Sequence, residues 1–109
     1  MLCALTARTL KPGTFEQFRE TFMRYENLED PPSGYVQFNM IRNAKNPDQV
    51  ICFGFFDGTV DELRRAAAEQ DYAGQLDAVA PFVESVGADG LFEVVEDHAF
   101  GETVAEGRR

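Results

Sequence analysis

Few side chains in this chain combine the types and spacing that catalysis usually requires. His98 is the only histidine among the 109 residues, and imidazole is the side chain that changes charge near neutral pH without help from its surroundings. No nucleophile is placed as its partner, so a Ser/His/Asp arrangement is not indicated. The nine glycines are scattered at turns, which disfavours a phosphate-binding loop.

The two cysteines indicate neither a metal site nor redox chemistry. Cys3 and Cys52 lie in apolar, strand-like runs, and the sequence contains no CxxC motif and no Cys/His cluster. We expect both to be buried, reduced thiols, as is usual in the cytoplasm. No metal ion and no cofactor is therefore predicted.

Tyr72 and His98 are the candidates for acid–base catalysis, and each has a plainer interpretation. Tyr72 belongs to an apolar helical stripe, where a tyrosine more often packs in the core with its hydroxyl at the edge. His98 follows the last predicted strand, beside Asp97. A single histidine without a positioned partner is more typical of the surface or of a subunit rim.

Four polar side chains on predicted strands are candidates to face a pocket: Thr6, Arg8, Asn39 and Arg42. Asn39 lies among apolar neighbours, so its amide needs a partner, which is either a ligand or, more often, another protein group. Arg42 is placed to orient an anionic substrate, although an arginine near a strand end is more often solvated or ion-paired.

Aromatic side chains are unusually prominent, with ten Phe, three Tyr and no Trp. Phe22 and Phe53 are the candidates to contact a substrate. Such a phenylalanine cluster forms the core first, and it lines a pocket only where the packing leaves a void.

The elements that position these residues follow the order βαββαβ, which indicates one α+β domain. Apolar spacing and turn residues predict strands over 2–10, 34–43, 49–57 and 91–96, with a hairpin loop over 44–48. Helices begin at Thr14 and Thr59, each with a capping box completed three residues later by Gln17 or Glu62.

A further helical stretch is predicted from Asp71. Its apolar residues recur at spacings of four and three: Tyr72, Leu76, Val79, Val83 and Val86. Pro81 should kink or divide this stretch, and the glycine-bounded segment 87–90 is predicted to be a turn.

The third predicted strand is apolar on both sides, because residues 50–56 do not alternate with polar ones. Such a strand must be covered on both faces, whereas one layer of helices covers only one. A homodimer that closes two sheets against each other would supply the missing cover.

Charge and hydropathy limit the partners. The net charge of −9, from 10 basic and 19 acidic residues, disfavours nucleic acids and anionic membrane surfaces. No apolar run approaches the ~20 residues that span a bilayer. The N-terminal residues lack a basic leader and run directly into a strand pattern, so we expect a cytoplasmic protein. The domain is expected over 1–98, followed by a polar tail over 99–109.

Over residues 1 to 98 the chain resembles the antibiotic biosynthesis monooxygenase (ABM) domain family of the dimeric α+β barrel superfamily. Four short motifs carry the resemblance: Lys-Pro-Gly at 11–13, Pro-Ser-Gly-Tyr at 32–35, Phe-Phe-Asp at 55–57 before a capped helix, and Ala-Pro-Phe-Val at 80–83 followed by Phe-Glu-Val-Val at 92–95. The resemblance implies a ferredoxin-like antiparallel sheet with helices on one face, a dimeric barrel, and a pocket between the sheet and the helices of each subunit.

The resemblance also implies a function, a cofactor-independent monooxygenase that acts on a small aromatic or quinol-like molecule. Such chemistry needs a base, a donor for the substrate anion and a dry apolar pocket. Thr6 matches the family's polar position on the first strand, although it also suits an ordinary strand. The alternative is a non-catalytic dimeric module that binds a hydrophobic small molecule.

Haem degradation, known in other family members, is disfavoured. The positions of the haem-degrading Asn, Trp and His correspond to Thr6, Ala66 and Leu76 in this sequence. None of the three matches, so no imidazole is placed to ligate iron.

Overall fold

The computed structural model describes residues 1–100 and confirms the predicted ferredoxin-like α+β fold. The strands are β1 (Leu2–Leu10), β2 (Tyr35–Asn43), β3 (Asn46–Phe56) and β4 (Val83–Glu93), and the helices are α1 (Phe15–Met23), α2 (Val60–Glu69) and α3 (Tyr72–Val79), with a 3₁₀ turn at Ala80–Phe82. The four strands form one antiparallel sheet in the order β2-β3-β1-β4. The predicted tail lies outside the described residues from Gly101 onwards.

The helices cover one face of the sheet and leave the other face open. Along β3, Val50, Cys52 and Phe56 are buried, whereas Ile51 and Phe53 on alternate positions are only partly buried. Successive side chains of a strand point to opposite faces. The helices of the same subunit therefore cover one face of the apolar run of β3, and the side chains on its other face remain uncovered.

The core under the helices consists of two clusters. The first contains Leu10, Phe18, Phe22, Val50, Cys52 and Val79, and the second contains Leu2, Phe56, Leu63 and Ala66. The first lies where α1 and α3 pack on the sheet, and the second lies under α2. Burial of a side chain such as Phe18 contributes about 2–3 kcal/mol.

One predicted capping box is confirmed and the other is wrong. Thr59 accepts the amide of Glu62 at 3.1 Å, and the Glu62 carboxylate accepts the Thr59 amide at 2.8 Å. The hydroxyl of Thr14 instead donates to the carbonyl of Lys11 at 2.7 Å. The Thr14 amide bonds the same carbonyl at 3.2 Å, so the preceding turn uses the groups that a capping box would need.

The C-terminal part of the fold differs most from the prediction. The helical stripe ends at Val79, because the 3₁₀ turn with Pro81 stops the helix, and Val83 and Val86 belong to β4. The predicted turn at 87–90 is part of this strand, which pairs with β1 along its length. An unpaired edge of β1 offers hydrogen bonds that outweigh the turn preference of two glycines. A register shift opposite Ala7 accommodates the extra residue as a bulge.

The hairpin between β2 and β3 is tighter than the predicted loop over 44–48. Only Ala44 and Lys45 form the turn, and Asn43 pairs with Asn46. The Asn43 side chain accepts the Lys45 amide at 2.8 Å, which satisfies a main-chain donor within the turn. Within residues 1–100, no helix is long and apolar enough to cross a membrane.

Candidate active site between the sheet and the helices

A cavity of about 400 Å³ lies between the helical layer and the sheet. Phe22 and Cys52 of the first core cluster and Leu63 of the second border it. Gly54 lines the floor of the cavity without a side chain. A Cβ at this position would lie only 3.0 Å from the Gln37 carbonyl oxygen on the neighbouring strand. The volume is in the lower range of small-molecule sites, so a ligand of one or two rings is the appropriate size.

The burial of the lining residues defines a deep end and a mouth. Arg8 and Gln75 are 4% and 3% exposed, whereas Tyr72, Leu76 and Asp89 are exposed. The mouth therefore opens between α3 and the edge strand β4. A ligand that enters there reaches Arg8 and Gln75 last.

Thr6 and Asp89 form a hydrogen-bonded pair on the sheet side of the cavity, with Asp89 at its mouth. They are directly paired across β1 and β4, and the Thr6 hydroxyl donates to Oδ1 of Asp89 at 2.8 Å. The bulge opposite Ala7 follows this pair immediately and sets the register that brings the two side chains together. A carboxylate has four lone-pair sites, so Asp89 held in this way can still accept a proton.

Arg8 places a positive charge at the deep end. Its guanidinium carbon lies 5.5 Å from the ring centroid of Phe18 and 5.6 Å from that of Phe22. Its Nη1 atom is buried and has no hydrogen-bond partner in the part of the chain that the structure describes. A guanidinium has only donors and no acceptor, so Nη1 needs an acceptor from another group.

Gln75 connects two helices at the deep end of the cavity. Its Nε2 donates to the carbonyl of Phe22 at 2.9 Å and to the carboxylate of Glu26 at 2.8 Å. The Phe22 carbonyl belongs to the last turn of α1 and also accepts the Tyr25 amide at 3.2 Å, so the Gln75 amide uses its second lone pair. The amide therefore joins α3 to the end of α1 and holds Phe22 against the cavity.

Two tyrosines border the cavity. Burial, together with the nearby Glu26 and Tyr72, raises the pKa of Tyr35, so its hydroxyl stays protonated at neutral pH and remains a donor. Tyr72 begins α3 directly after Asp71, a left-handed residue with φ 56° whose carboxylate accepts the Gly74 amide. This sharp start to α3 places Tyr72 at the mouth.

The structure brings four of the predicted site residues to the cavity with their side chains: Thr6, Arg8, Phe22 and Tyr72. Phe53 borders it from the backbone, because its ring lies on the open face of the sheet and contacts Phe55 edge-on at 5.9 Å. Asn39 pairs with Phe53 across β2 and β3 and shares that open face. Both side chains therefore point away from the cavity.

The remaining two predicted site residues lie elsewhere. The Arg42 guanidinium sits 4.4 Å from the ring centroid of Phe15 at the sheet edge. His98 is exposed and contacts Glu96 at 3.2 Å, and neither Arg42 nor His98 borders the cavity. The surface position that the sequence favours for His98 agrees with this placement.

Sequence reasoning did not select Asp89, Gln75 and Glu26 for the site. The glycines around Asp89 predict a turn, whereas alternation counted back from Glu93 through Leu91 places it on the inner face of the sheet. Gln75 lies three residues after Tyr72 and four before Val79, so helical spacing places it on the buried face of α3, but a single glutamine on that face does not by itself indicate a site. Within residues 1–100, no three His, Cys, Asp or Glu side chains come together to hold a metal ion.

We expect the Cys52 thiol, which borders the cavity, to make the protein less stable at alkaline pH. Burial raises the pKa of Cys52 from 9.0 to about 11. Between these values the folded state binds more protons than the unfolded state, so stability falls as pH rises and is unaffected below pH 9. We expect the free energy of unfolding to fall by about 2 kcal/mol by pH 11 because of this group, as measured by urea unfolding.

Cys52→Ala is the matched control for this effect. Cys3 and Tyr35, whose pKa values are also raised by burial, are present in both proteins and cancel in the comparison. The variant should be less stable at pH 8 and should lose less stability between pH 9 and 11. Parallel pH profiles would show that the Cys52 thiol is not the cause.

The fold has many solved counterparts. A protein of Nitrosomonas europaea with the provisional name antibiotic biosynthesis monooxygenase superposes with a TM-score of 0.74 at 14% identity, covering 88% of this chain and 100% of that one. A protein of Deinococcus radiodurans with the same provisional name gives 0.74 at 11% identity, covering 93% and 99%. A variant of SnoaB, a cofactor-independent oxygenase from Streptomyces nogalater, gives 0.73 at 18% identity, covering 88% and 94%.

No protein-family model and no curated protein matches the sequence. The likeness to these structures is therefore a likeness of fold, and fold alone does not assign an activity. The chain has the ferredoxin-like fold of the antibiotic biosynthesis monooxygenase proteins, as its sequence motifs predict.

Proposed function

We propose that this protein is a cofactor-independent monooxygenase that acts on a small aromatic or quinol-like molecule bound in the sheet–helix cavity. One observation carries the proposal: the carboxylate of Asp89, held by the Thr6 hydroxyl at 2.8 Å, borders a cavity walled by phenylalanine and tyrosine rings. A positioned base beside an aromatic-lined cavity is what deprotonation of such a substrate requires.

The reaction needs no external reductant. Asp89 removes an acidic proton from the substrate, and the electron-rich anion passes electrons to O₂. For a substrate CH₂ group that becomes a carbonyl, all four electrons that reduce O₂ come from that carbon. One oxygen atom enters the product and the other leaves as water, so atoms and electrons balance without a flavin or a metal.

The other cavity residues bind and orient the substrate. Thr6 positions the Asp89 carboxylate, and the Phe22 ring, held by Gln75 through its carbonyl, packs against the substrate ring. In this proposal Tyr72, at the mouth, donates a hydrogen bond to a substrate oxygen and limits water entry. His98 has no role in this scheme.

The residues present do not fit haem. Thr6, at the position of the haem-degrading Asn, is bonded to Asp89, Ala66 is part of the core, and Leu76 is an aliphatic side chain at the mouth. The single histidine of the chain lies outside the cavity. No step of the proposed reaction therefore involves haem.

We expect oxygen uptake when the protein is given hydroquinones or polyketide-like anthrones without added cofactor. An oxygen electrode measures the rate, and catalase added afterwards should return no oxygen because the product is water and not hydrogen peroxide. One atom of ¹⁸O₂ should appear in the product. Uptake that requires added flavin or metal, or no uptake across the panel, would contradict the proposal.

A second candidate is the non-catalytic dimeric module that binds a hydrophobic small molecule. It is favoured by the exposure of Asp89 and Tyr72, which lie at the mouth of the cavity and not in its interior. Binding of panel compounds in calorimetry without any oxygen uptake would select this candidate.

We also propose that the protein is a homodimer built on the open sheet face. That face carries Cys3, Leu5, Ala7, Ile41, Ile51, Phe53, Phe55 and Phe92, according to the pairing of the strands. Ile41 and Phe92 are 48% and 46% exposed in the single subunit. A contiguous apolar surface of this kind is typical of an interface.

The two free cysteines support a cytoplasmic location.

A further inference from the structure

The buried arginine at the deep end of the cavity has no counter-charge within residues 1–100. Among the described residues the ion pairs are Arg19–Glu16 and His98–Glu96, and neither involves Arg8. Its contacts with the Phe18 and Phe22 rings offset part of the cost of burying a charge. They provide no acceptor for Nη1, which is buried and unpaired, and a buried donor without a partner is unfavourable.

Arg8 and Asp89 carry opposite charges on the same face of the sheet, yet they do not form an ion pair. Thr6, which holds Asp89, and Arg8 are two positions apart on β1, so their Cα atoms are ~6.6 Å apart along the strand. This spacing is close to the length of one aromatic ring with substituents at both ends. The cavity between the two charges is open enough to hold such a ring.

We propose that Arg8 is an anion-binding residue and that the ligand is a small aromatic molecule with an anionic oxygen group, a carboxylate or a phenolate. The anionic end lies against the guanidinium at the deep end, and the opposite end of the ring reaches Asp89 at the mouth. Rotation of the Arg8 side chain towards the cavity gives Nη1 the acceptor that it lacks. The inference rests on the proposed function for the site and adds the substrate class.

The charge of the whole chain decides how strong a local cation an anionic ligand would need. The net charge of −9 repels anions, so an anionic ligand needs a strong local cation. A guanidinium donates two parallel hydrogen bonds to a carboxylate and is suited to that role. Arg64 also borders the cavity, but it is exposed on α2, where solvent screens its charge.

A matched pair of ligands tests the inference without any turnover. 4-Hydroxybenzoate and 4-hydroxybenzamide have nearly the same shape and differ in charge. A separate comparison of 4-nitrophenol binding above and below its ionisation pH tests whether a phenolate is bound. Calorimetric titration under anaerobic conditions should show that the acid binds the wild type at least about 10-fold more tightly than the amide. Preference for the nitrophenolate over the acid would identify the anion as a phenolate.

Two variants assign the effect to Arg8. Arg8→Met keeps the apolar stem and should reduce the acid-to-amide ratio to about one, a loss of about 10–100-fold in affinity for the acid. Arg64→Met removes the same charge from the exposed side of the cavity and should change the ratio less than threefold, about the effect of a screened charge. Circular dichroism verifies that each variant is folded.

Three outcomes would overturn the inference: equal binding of acid and amide by the wild type, no binding of either anion up to its solubility limit, or an unchanged ratio in folded Arg8→Met. The first two use the wild type alone, so they apply even if the variant fails to fold. A clear acid preference without oxygen uptake would refute the proposed reaction and leave the anion site standing. Oxygen uptake with neutral quinols that Arg8→Met leaves unchanged would support the proposed reaction and refute the anion site.

Discussion

Asp89→Asn is expected to lower the rate of oxygen consumption by about 10²–10⁴-fold, the usual contribution of a positioned general base. The asparagine amide has almost the same shape as the carboxylate, and its oxygen can still accept the hydrogen bond from Thr6. The variant therefore keeps the local structure and loses only the ability to take a proton. The turnover number should fall, while the affinity for substrate should change little.

Glu26→Gln provides the matched control. Glu26 is the second carboxylate that borders the cavity, but its Oε2 accepts a hydrogen bond from Gln75 at 2.8 Å, which a glutamine oxygen can also do. We expect its rate to change by less than about threefold. If Asp89→Asn keeps more than a tenth of the activity and Glu26→Gln does not, the base is Glu26.

A charge on the open sheet face should have the second large effect. Phe53→Asp places a carboxylate where the Phe53 ring contacts Phe55, at a position that the proposed dimer buries. An unpaired buried charge is unfavourable by several kcal/mol, more than a small dimer can tolerate. We expect the variant to be monomeric in sedimentation equilibrium and largely unfolded in circular dichroism.

Val60→Asp is the control for a generally harmful charge. Val60 is also a partly exposed apolar side chain, but it starts α2, in the layer on the opposite face of the sheet. An acidic residue in the first turn of a helix is favourable, so this variant should remain a folded dimer. Equal loss of structure in both variants would refute a specific interface.

Dilution of the wild type probes the same interface without substitution. If subunits fold only as a dimer, dissociation and unfolding coincide, and the unfolding midpoint falls as protein concentration falls. A folded monomer that persists on dilution, with a midpoint independent of concentration, would show that the open face needs no second subunit.

The sequence by itself determined the order of elements and the need for a second cover on the sheet. Both follow from short-range patterns: the apolar run of β3, and the capping box at Thr59, whose two hydrogen bonds are closed within four residues. Local chemistry of this kind is fully present in the chain and is little affected by distant contacts.

Tertiary structure alone decided which side chains share the cavity. Asp89 reaches Thr6 because β4 pairs with β1 through two glycines and a bulge, and no local signal in the sequence fixes that register. Strand register sets the face of every side chain, since a shift of one residue reverses them all. For the same reason the side chains of Asn39 and Phe53 lie on the open face, and Arg8 lies at the deep end of the cavity. Pairing between strands that are distant in sequence therefore decided the composition of the candidate site.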